Sequence, residues 1–256
     1  MLTNFLFANN QSDPMTEHSL HSAIKHWYSL HNDEIEVNIG GFVVDIARGN
    51  LLIEIQTKNF SAIKKKVEKM AEEQSVRLVY PIAKQKWIVH ITRSGEILSR
   101  RKSPKEGRIV DLFTELVHLP DMIRAKNFSL EVLMIKEEEV RCNDGKGSWR
   151  RRGVSIRNRK LIDVVERVLF RDEKDFLRFL PSELFEPFTN RDLSRSIGVS
   201  INLARKITYC LRKMDVIAED GKRGRELLFH ILPLEENSAS ATAKTASSLY
   251  SMYTAY

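Results

Sequence analysis

The stretch GFVVDIARGNLLIEIQTK, residues 41–58, reads as a β-hairpin with an apolar and a polar face. Along 51–56 the side chains alternate, so Leu51, Ile53 and Ile55 share one face while Leu52, Glu54 and Gln56 share the other. Phe42, Val44 and Ile46 likewise oppose Val43, Asp45 and Ala47. Arg48-Gly49-Asn50 marks the turn. A loop of two or four residues puts Asp45 on the face of Glu54, roughly 5 to 8 Å away, whereas a three-residue loop separates them. Two carboxylates that close repel unless a cation lies between them, and hard oxygen ligands suit Mg²⁺ or Mn²⁺. The same pattern also fits a hairpin whose polar face is simply solvated.

The flanking sequence orders the elements around this hairpin. Met15 to Leu30 carries a helical stripe at Leu20, Ala23, Ile24, Trp27 and Tyr28, and Glu34 to Asn38 reads as a strand. After the hairpin, FSAIKKKVEKMAEE is expected to be a helix capped by Ser61, with Ile63, Val67 and Met70 inward. VRLVYPIA and KWIVHI follow as two short strands. The order is helix, three strands, helix, strand, with one further strand.

This order, with Asp45 and Glu54 on the second and third strands, resembles the PD-(D/E)xK phosphodiesterase superfamily over residues 15–92. The resemblance implies an α/β fold with an αβββαβ core and a mixed sheet. Asp45 matches the first half-motif, although Val44 stands where a proline is usual, and Glu54 matches the acidic ligand of the second. Gln56 stands where the usual pattern has the lysine that positions or activates the attacking water, an ExQ form found in some restriction endonucleases. Lys58, two residues on, shares that face if the strand continues and offers a substitute cation or a plain solvated lysine. Glu17 matches the accessory acidic residue of the first helix. The implied activity is Mg²⁺- or Mn²⁺-dependent cleavage of DNA, with Asp45, Glu54 and Glu17 on the metal and Gln56 or Lys58 serving the water. The missing lysine also admits a nuclease-like DNA-binding regulator or adaptor that no longer cleaves.

The C-terminal sequence FTNRDLSRSIGVSINLARKITYCLRKMDVIAEDGKRGRELLFHIL looks like a winged helix-turn-helix, with a hairpin turning at Gly221 to Gly224. In its second helix Ile201, Ala204, Ile207, Cys210, Leu211 and Met214 form the inward stripe. Asn202, Arg205, Lys206, Tyr209, Arg212 and Lys213 are left for a DNA groove, and Lys222, Arg223 and Arg225 for an adjacent phosphate chain. Solvated basic residues on a packing or dimerisation module are the alternative.

Residues 101–160 read as a connecting segment. GRIVDLFTELVHLPDMIRA suggests a helix ending before Pro120, FSLEVLMIKEEEVR a weak strand, and Glu137-Glu138-Glu139 solvent-exposed charge. NDGKGSWRRRGVSIRNRK is a glycine-marked loop in which Trp149 stands beside Arg150, Arg151 and Arg152, a set suited to phosphates and a stacked base or to a linker. LIDVVERVLF and EKDFLRFL are expected to be helices leading into the C-terminal domain, which then spans 161–234 after a nuclease-like domain at 15–100. Residues 1–14 form an extension, and the Ser/Ala/Thr-rich tail 235–256 is expected to be disordered.

Composition bounds the partners. A formal net charge of +7 over 256 residues favours a polyanion, here DNA. Cys142 and Cys210 are too few for a disulfide framework or zinc site and are expected to stay reduced in a cytoplasm. No apolar run approaches the roughly 20 residues that span a bilayer, and no GxxxxGK[ST] loop suggests an ATP-driven motor. Enzymes that cut both strands often work in pairs, which leaves a homodimer open.

Overall fold

A computed structural model describes residues 19–233. Glu17, the expected helix start at Met15, the extension 1–14 and the tail 235–256 lie outside the described residues. Helix α1, Leu20–Tyr28, is capped by the Ser19 hydroxyl and buries Leu20, Ile24 and Tyr28, the i, i+4, i+8 stripe of its sequence. Strands β1 (Glu34–Ile39), β2 (Phe42–Arg48) and β3 (Leu51–Ile55) form an antiparallel meander. Its first turn is Gly40-Gly41, both at positive φ, as a two-residue hairpin connection of this kind requires. The second is Gly49-Asn50, between paired Arg48 and Leu51.

Helix α2, Phe60–Glu73, buries Ile63, Val67 and Met70 as expected. It starts one residue before the expected cap: Asn59 adopts the left-handed conformation, and the Glu115 carboxylate takes up the Phe60 N–H at 3.0 Å. Beyond it β4 (Ser75–Ile91) runs parallel to β3 as one 17-residue strand. The expected break between two strands is a register slip between Ala83 and Gln85, because the neighbouring strand β6 (Phe128–Asn143) continues past it in parallel. Strand β5 (Ile97–Lys102) folds back on the far half of β4. Strand β7 (Val154–Phe170) lies antiparallel to β6, closing a seven-stranded mixed sheet of order β1-β2-β3-β4-β6-β7 with β5 on β4.

Strand β7 corrects the expected helix over 161–170. Ile162, Val164, Val165, Val168 and Phe170 favour a strand, and Leu161 to Phe170 pair with Glu137 to Leu130 of β6. Register slips after Met134 and Lys136 disturb the two-residue alternation, so the apolar spacing imitates a helix. Residues 101–160, read as a connector, contribute β6 and the start of β7 to the sheet. The expected helix before Pro120 is a 3-10 turn at Ile109–Leu112, a short helix α3 at Phe113–Leu116 and a second 3-10 turn at Pro120–Arg124. Residues 173–180 also form a 3-10 turn, Glu173–Phe179, instead of an α-helix.

The acidic run also departs from expectation. Glu137 is 0% and Glu139 5% exposed. Lys86 Nζ lies 2.9 Å from Glu137 Oε1, as an ion pair outside hydrogen-bond geometry, and 3.0 Å from Glu139 Oε2. Arg159 donates to Glu137 Oε2 at 2.6 Å, and Arg141 lies 2.5 Å from Glu139 Oε1. Cross-strand cations from β4 and β7 make burial of these carboxylates tolerable, and a linear sequence does not display them.

At the C-terminus, β8 (Phe188–Thr189), β9 (Ile217–Arg223) and β10 (Glu226–Ile231) form a small antiparallel sheet of order β8-β10-β9. Helices α4 (Asn190–Ser196) and α5 (Ile201–Lys213) pack on it. The β9–β10 turn is Gly224-Arg225, not Gly221 to Gly224, and Gly221 remains inside β9 with φ +82°. One continuous core joins α2, the turns of 109–124, Phe170, Phe176, Phe179 and α5, while a second behind the sheet joins α1 to Ile46, Ile53, Ile55, Val79 and Leu133. Arg108 reinforces the junction by donating to the Ile197 and Gly198 carbonyls at 2.7 and 2.9 Å. No helix among the described residues is long and apolar enough to cross a membrane.

Candidate active site

The paired register of β2 and β3 runs through Arg48–Leu51, Ala47–Leu52 and Ile46–Ile53. Beyond it, the Ile55 N–H donates to Asp45 Oδ2 at 2.9 Å, so a side chain replaces a ladder acceptor. Val44 and Ala47 both join the core on the α2 side, while Ile46 between them joins the core beneath α1. The regular alternation is therefore broken around Asp45, and Glu36 of β1, between paired Ile35 and Val37, has φ +55°. The break turns the Asp45 carboxylate toward α1. His21 Nε2 lies 3.0 Å from Asp45 Oδ2, Lys25 Nζ lies 3.7 Å from Oδ1, and Lys25 also pairs with Glu36.

Glu54 is 6% exposed and faces α2, whose Lys66 brings Nζ to 2.5 Å from Oε2. The same ammonium donates to the Val43 carbonyl at 2.6 Å. Burial opposes ionisation of Asp45, but the hydrogen bonds from His21 and the Ile55 N–H outweigh it and hold that carboxyl below its ordinary range. Burial pushes Glu54 up, Lys66 offsets part of this, and the charge of Asp45 adds to it. The hydrogen bond to Asp45 raises His21 despite its burial. The outcome is a firmly ionised carboxylate beside one that retains its proton more readily, the separation found where two carboxylates have different tasks.

The other expected residues are placed differently. The Gln56 amide donates to the backbone carbonyls of Lys58 and Asn59 at 2.5 and 3.3 Å, closing the turn into α2. Lys58 is exposed. His21, Lys25 and Lys66 were not anticipated from the sequence. Lys66 had a signal, because it flanks the Ile63, Val67, Met70 stripe of a helix that must cover the sheet.

Asp45 Oδ1 and Glu54 Oε1 accept no hydrogen bond among the described residues, Oδ1 facing the Lys25 ammonium at 3.7 Å, and carboxylate oxygens are the donors that a hard cation such as Mg²⁺ takes. The described residues hold no group of three or more His, Cys, Asp and Glu able to enclose a metal.

The basic residues of the C-terminal unit divide into two sets. Arg212 pairs with Glu219 at 2.6 Å, Arg223 with Asp192, and Lys206 donates to the Thr114 carbonyl at 3.3 Å. Lys213, Lys222 and Arg225 are exposed without an ion pair among the described residues, beside exposed Asn202, Arg205 and Tyr209. Trp149 is 84% exposed with the Arg150 guanidinium 5.6 Å from its ring centre, and Arg151 and Arg152 are exposed beside it.

Residues 18–171 match the family described as Domain of unknown function (DUF8091), and the chain belongs to that family. The matched span ends one residue after β7, so it covers the whole large sheet. The chain is also similar to an uncharacterized protein of Treponema pallidum (strain Nichols), 28% identical over 222 residues, covering 86% of this chain and 88% of that protein. No solved structure matches.

Proposed function

We propose that this DUF8091 member is a Mg²⁺- or Mn²⁺-dependent deoxyribonuclease with a nuclease-like αβββαβ core. One observation carries the reading: where β2 and β3 part, Asp45 and Glu54 lie near enough for the charge of one to act on the other, with the Lys66 ammonium on Glu54. A cation held by these carboxylates would polarise the scissile phosphate and lower the pKa of an attacking water. The water oxygen bonds to phosphorus, one P–O ester bond breaks, and the leaving oxygen takes a proton. Lys66 would supply the ammonium that Gln56 lacks and that the sequence offers in Lys58, neutralising Glu54 and orienting the water beside it. His21 holds Asp45 in place through Nε2. Glu17 remains a candidate for a second cation.

The helices α4 and α5 with the β9–β10 hairpin support a winged helix-turn-helix that delivers DNA. The formal charge of +7 and the exposed Lys213, Lys222 and Arg225 fit that role. A homodimer and a cytoplasmic setting accompany this proposal.

The inactive-regulator reading rests on its own observation. The Gln56 amide is turned to backbone carbonyls, and Lys25, His21 and Lys66 already compensate both carboxylates. Incubating the protein with duplex, branched and single-stranded DNA in Mg²⁺, Mn²⁺ or EDTA separates the two. New ends that require metal support the nuclease; binding without cleavage or any metal-induced rise in melting temperature supports the regulator.

A further inference from the structure

The far ends of β4, β6 and β7 run past the packed core and, with β5, enclose a trough of about 320 Å³. Its register explains its lining. Val89 of β4 pairs with Val140 of β6 and Arg100 of β5, Ile91 pairs with Cys142, and Glu138 pairs with Lys160 of β7. Alternation places the apolar side chains on the floor and sends the buried Glu137 and Glu139 to the opposite face. Arg93, Arg100, Arg157 and Lys160 stand among the lining residues, against Glu138 as their acid.

Two of these cations are already engaged: Arg100 with Glu138 at 2.6 Å and Arg157 with Asp144 at 2.8 Å. Arg93 and Lys160 are exposed without an ion pair among the described residues. The loop joining β6 to β7 begins at Asp144, the partner of Arg157 in the lining, and carries Trp149, left 84% exposed, with Arg150, Arg151 and Arg152. An indole so exposed buries little area on folding, and an apolar floor beneath a cationic rim matches a ligand that is flat and apolar in one part and anionic in another.

We propose that this trough and the Trp149 loop bind an unpaired stretch of nucleic acid. Bases lie against the apolar floor and the indole, and phosphates lie on Arg93, Lys160 and the loop arginines. A duplex keeps its bases stacked inside and would leave the floor unused. This rests on the reading of the protein as acting on nucleic acid, and it does not require cleavage.

The test uses the full chain in EDTA, with fluorescence anisotropy of a labelled oligothymidylate, a duplex of equal length, and free thymidine monophosphate as competitor. The oligothymidylate is expected to bind. The double variant Arg93→Glu/Lys160→Glu should weaken it roughly tenfold or more, and Trp149→Ala roughly fivefold or more, with melting temperature and duplex affinity retained. No binding by the wild type, unchanged affinity in both variants, or equal losses for duplex and single strand would overturn the proposal. Thymidine monophosphate competing as well as the oligothymidylate would also overturn it, marking a mononucleotide pocket. Oligothymidylate binding that is abolished in the variants, together with no cleavage in metal, supports the trough while rejecting the nuclease reading alone.

Discussion

Lys66 on α2 places its ammonium 2.5 Å from Glu54 Oε2 and 2.6 Å from the Val43 carbonyl, so one helix side chain ties together both strands of the hairpin. This ion pair gives Glu54 a counter-charge in the absence of metal. A cation arriving at the proposed site would meet positive neighbours at both carboxylates, Lys66 at Glu54 and Lys25 with His21 at Asp45.

Metal affinity should therefore depend on pH through Glu54. Its carboxyl is raised, chiefly by burial, so its contribution to stability is present below the ordinary glutamate range and lost as pH rises through the raised value. A cation bound there would displace that proton and favour the ionised form. The metal-induced rise in melting temperature should be smaller at about pH 5 than at about pH 7, and Glu54→Gln should abolish it. An equal shift at both pH values would place the metal elsewhere.

Asp45 has two separable tasks. Asp45→Asn keeps an acceptor for the Ile55 N–H but loses the charge, whereas Asp45→Ala leaves that N–H without its partner. Urea denaturation should show Ala less stable than Asn by about 1–3 kcal/mol, while both lose the metal shift and cleavage.

His21 gives a pH signature of the opposite kind to Asp45. Its raised pKa means that its contribution is full below the unfolded value of about 6.5 and disappears as pH rises through the folded one. Asp45, held low, contributes above the ordinary aspartate range and loses its contribution as pH falls through the folded value. His21→Ala should flatten the stability profile on the alkaline side of about pH 6, by about 1 kcal/mol or less because the ring is partly in water. Thermal melts across pH check this.

The buried acidic run predicts a large effect where the sequence suggested none. Glu137→Ala leaves Arg159 without its buried partner and Lys86 with Glu139 alone, and should cost on the order of 3 kcal/mol, the low end for a broken buried pair because both cations remain partly in water. Glu138→Ala, on the other face, should cost less than about 1 kcal/mol. Chemical denaturation of both variants distinguishes them.

On the C-terminal unit, Lys213, Lys222 and Arg225 changed together to Ala should lower the slope of log K against log salt by about 0.9 for each duplex phosphate that is no longer neutralised. Arg223→Ala should instead lower the melting temperature, since it braces Asp192 and Thr189 at the start of α4. An unchanged salt slope in the triple variant would remove the wing from the interface.

The hairpin and its neighbours were legible because they obey local rules. Two-residue periodicity, glycine turns and the α1 and α2 stripes each depend on residues close in sequence. What the sequence concealed depends on partners. Residues 161–170 look helical until β6 supplies slips that restore their pairing, and Glu137 looks solvated until Lys86 and Arg159 arrive from 51 and 22 residues away. At the candidate site, alternation could mark Asp45 and Glu54 as the acidic pair of the hairpin, but it put both on one face, whereas the break around Asp45 turns that carboxylate toward α1 and leaves Glu54 facing α2. Their counter-charges could not be read this way, because His21, Lys25 and Lys66 reach them from helices on opposite sides of the sheet.

The long strand β4 has a metric consequence. Glu54 is paired beside Leu78, and Val89 lines the trough 11 residues further along the same strand. At roughly 3.3 Å per residue the two points can be at most about 36 Å apart. No hinge or linker interrupts that path, only the slip near Lys84. A nucleic acid engaged at both points would be measured off like cloth against a yardstick, its cut fixed at a set number of nucleotides from the stretch lying in the trough.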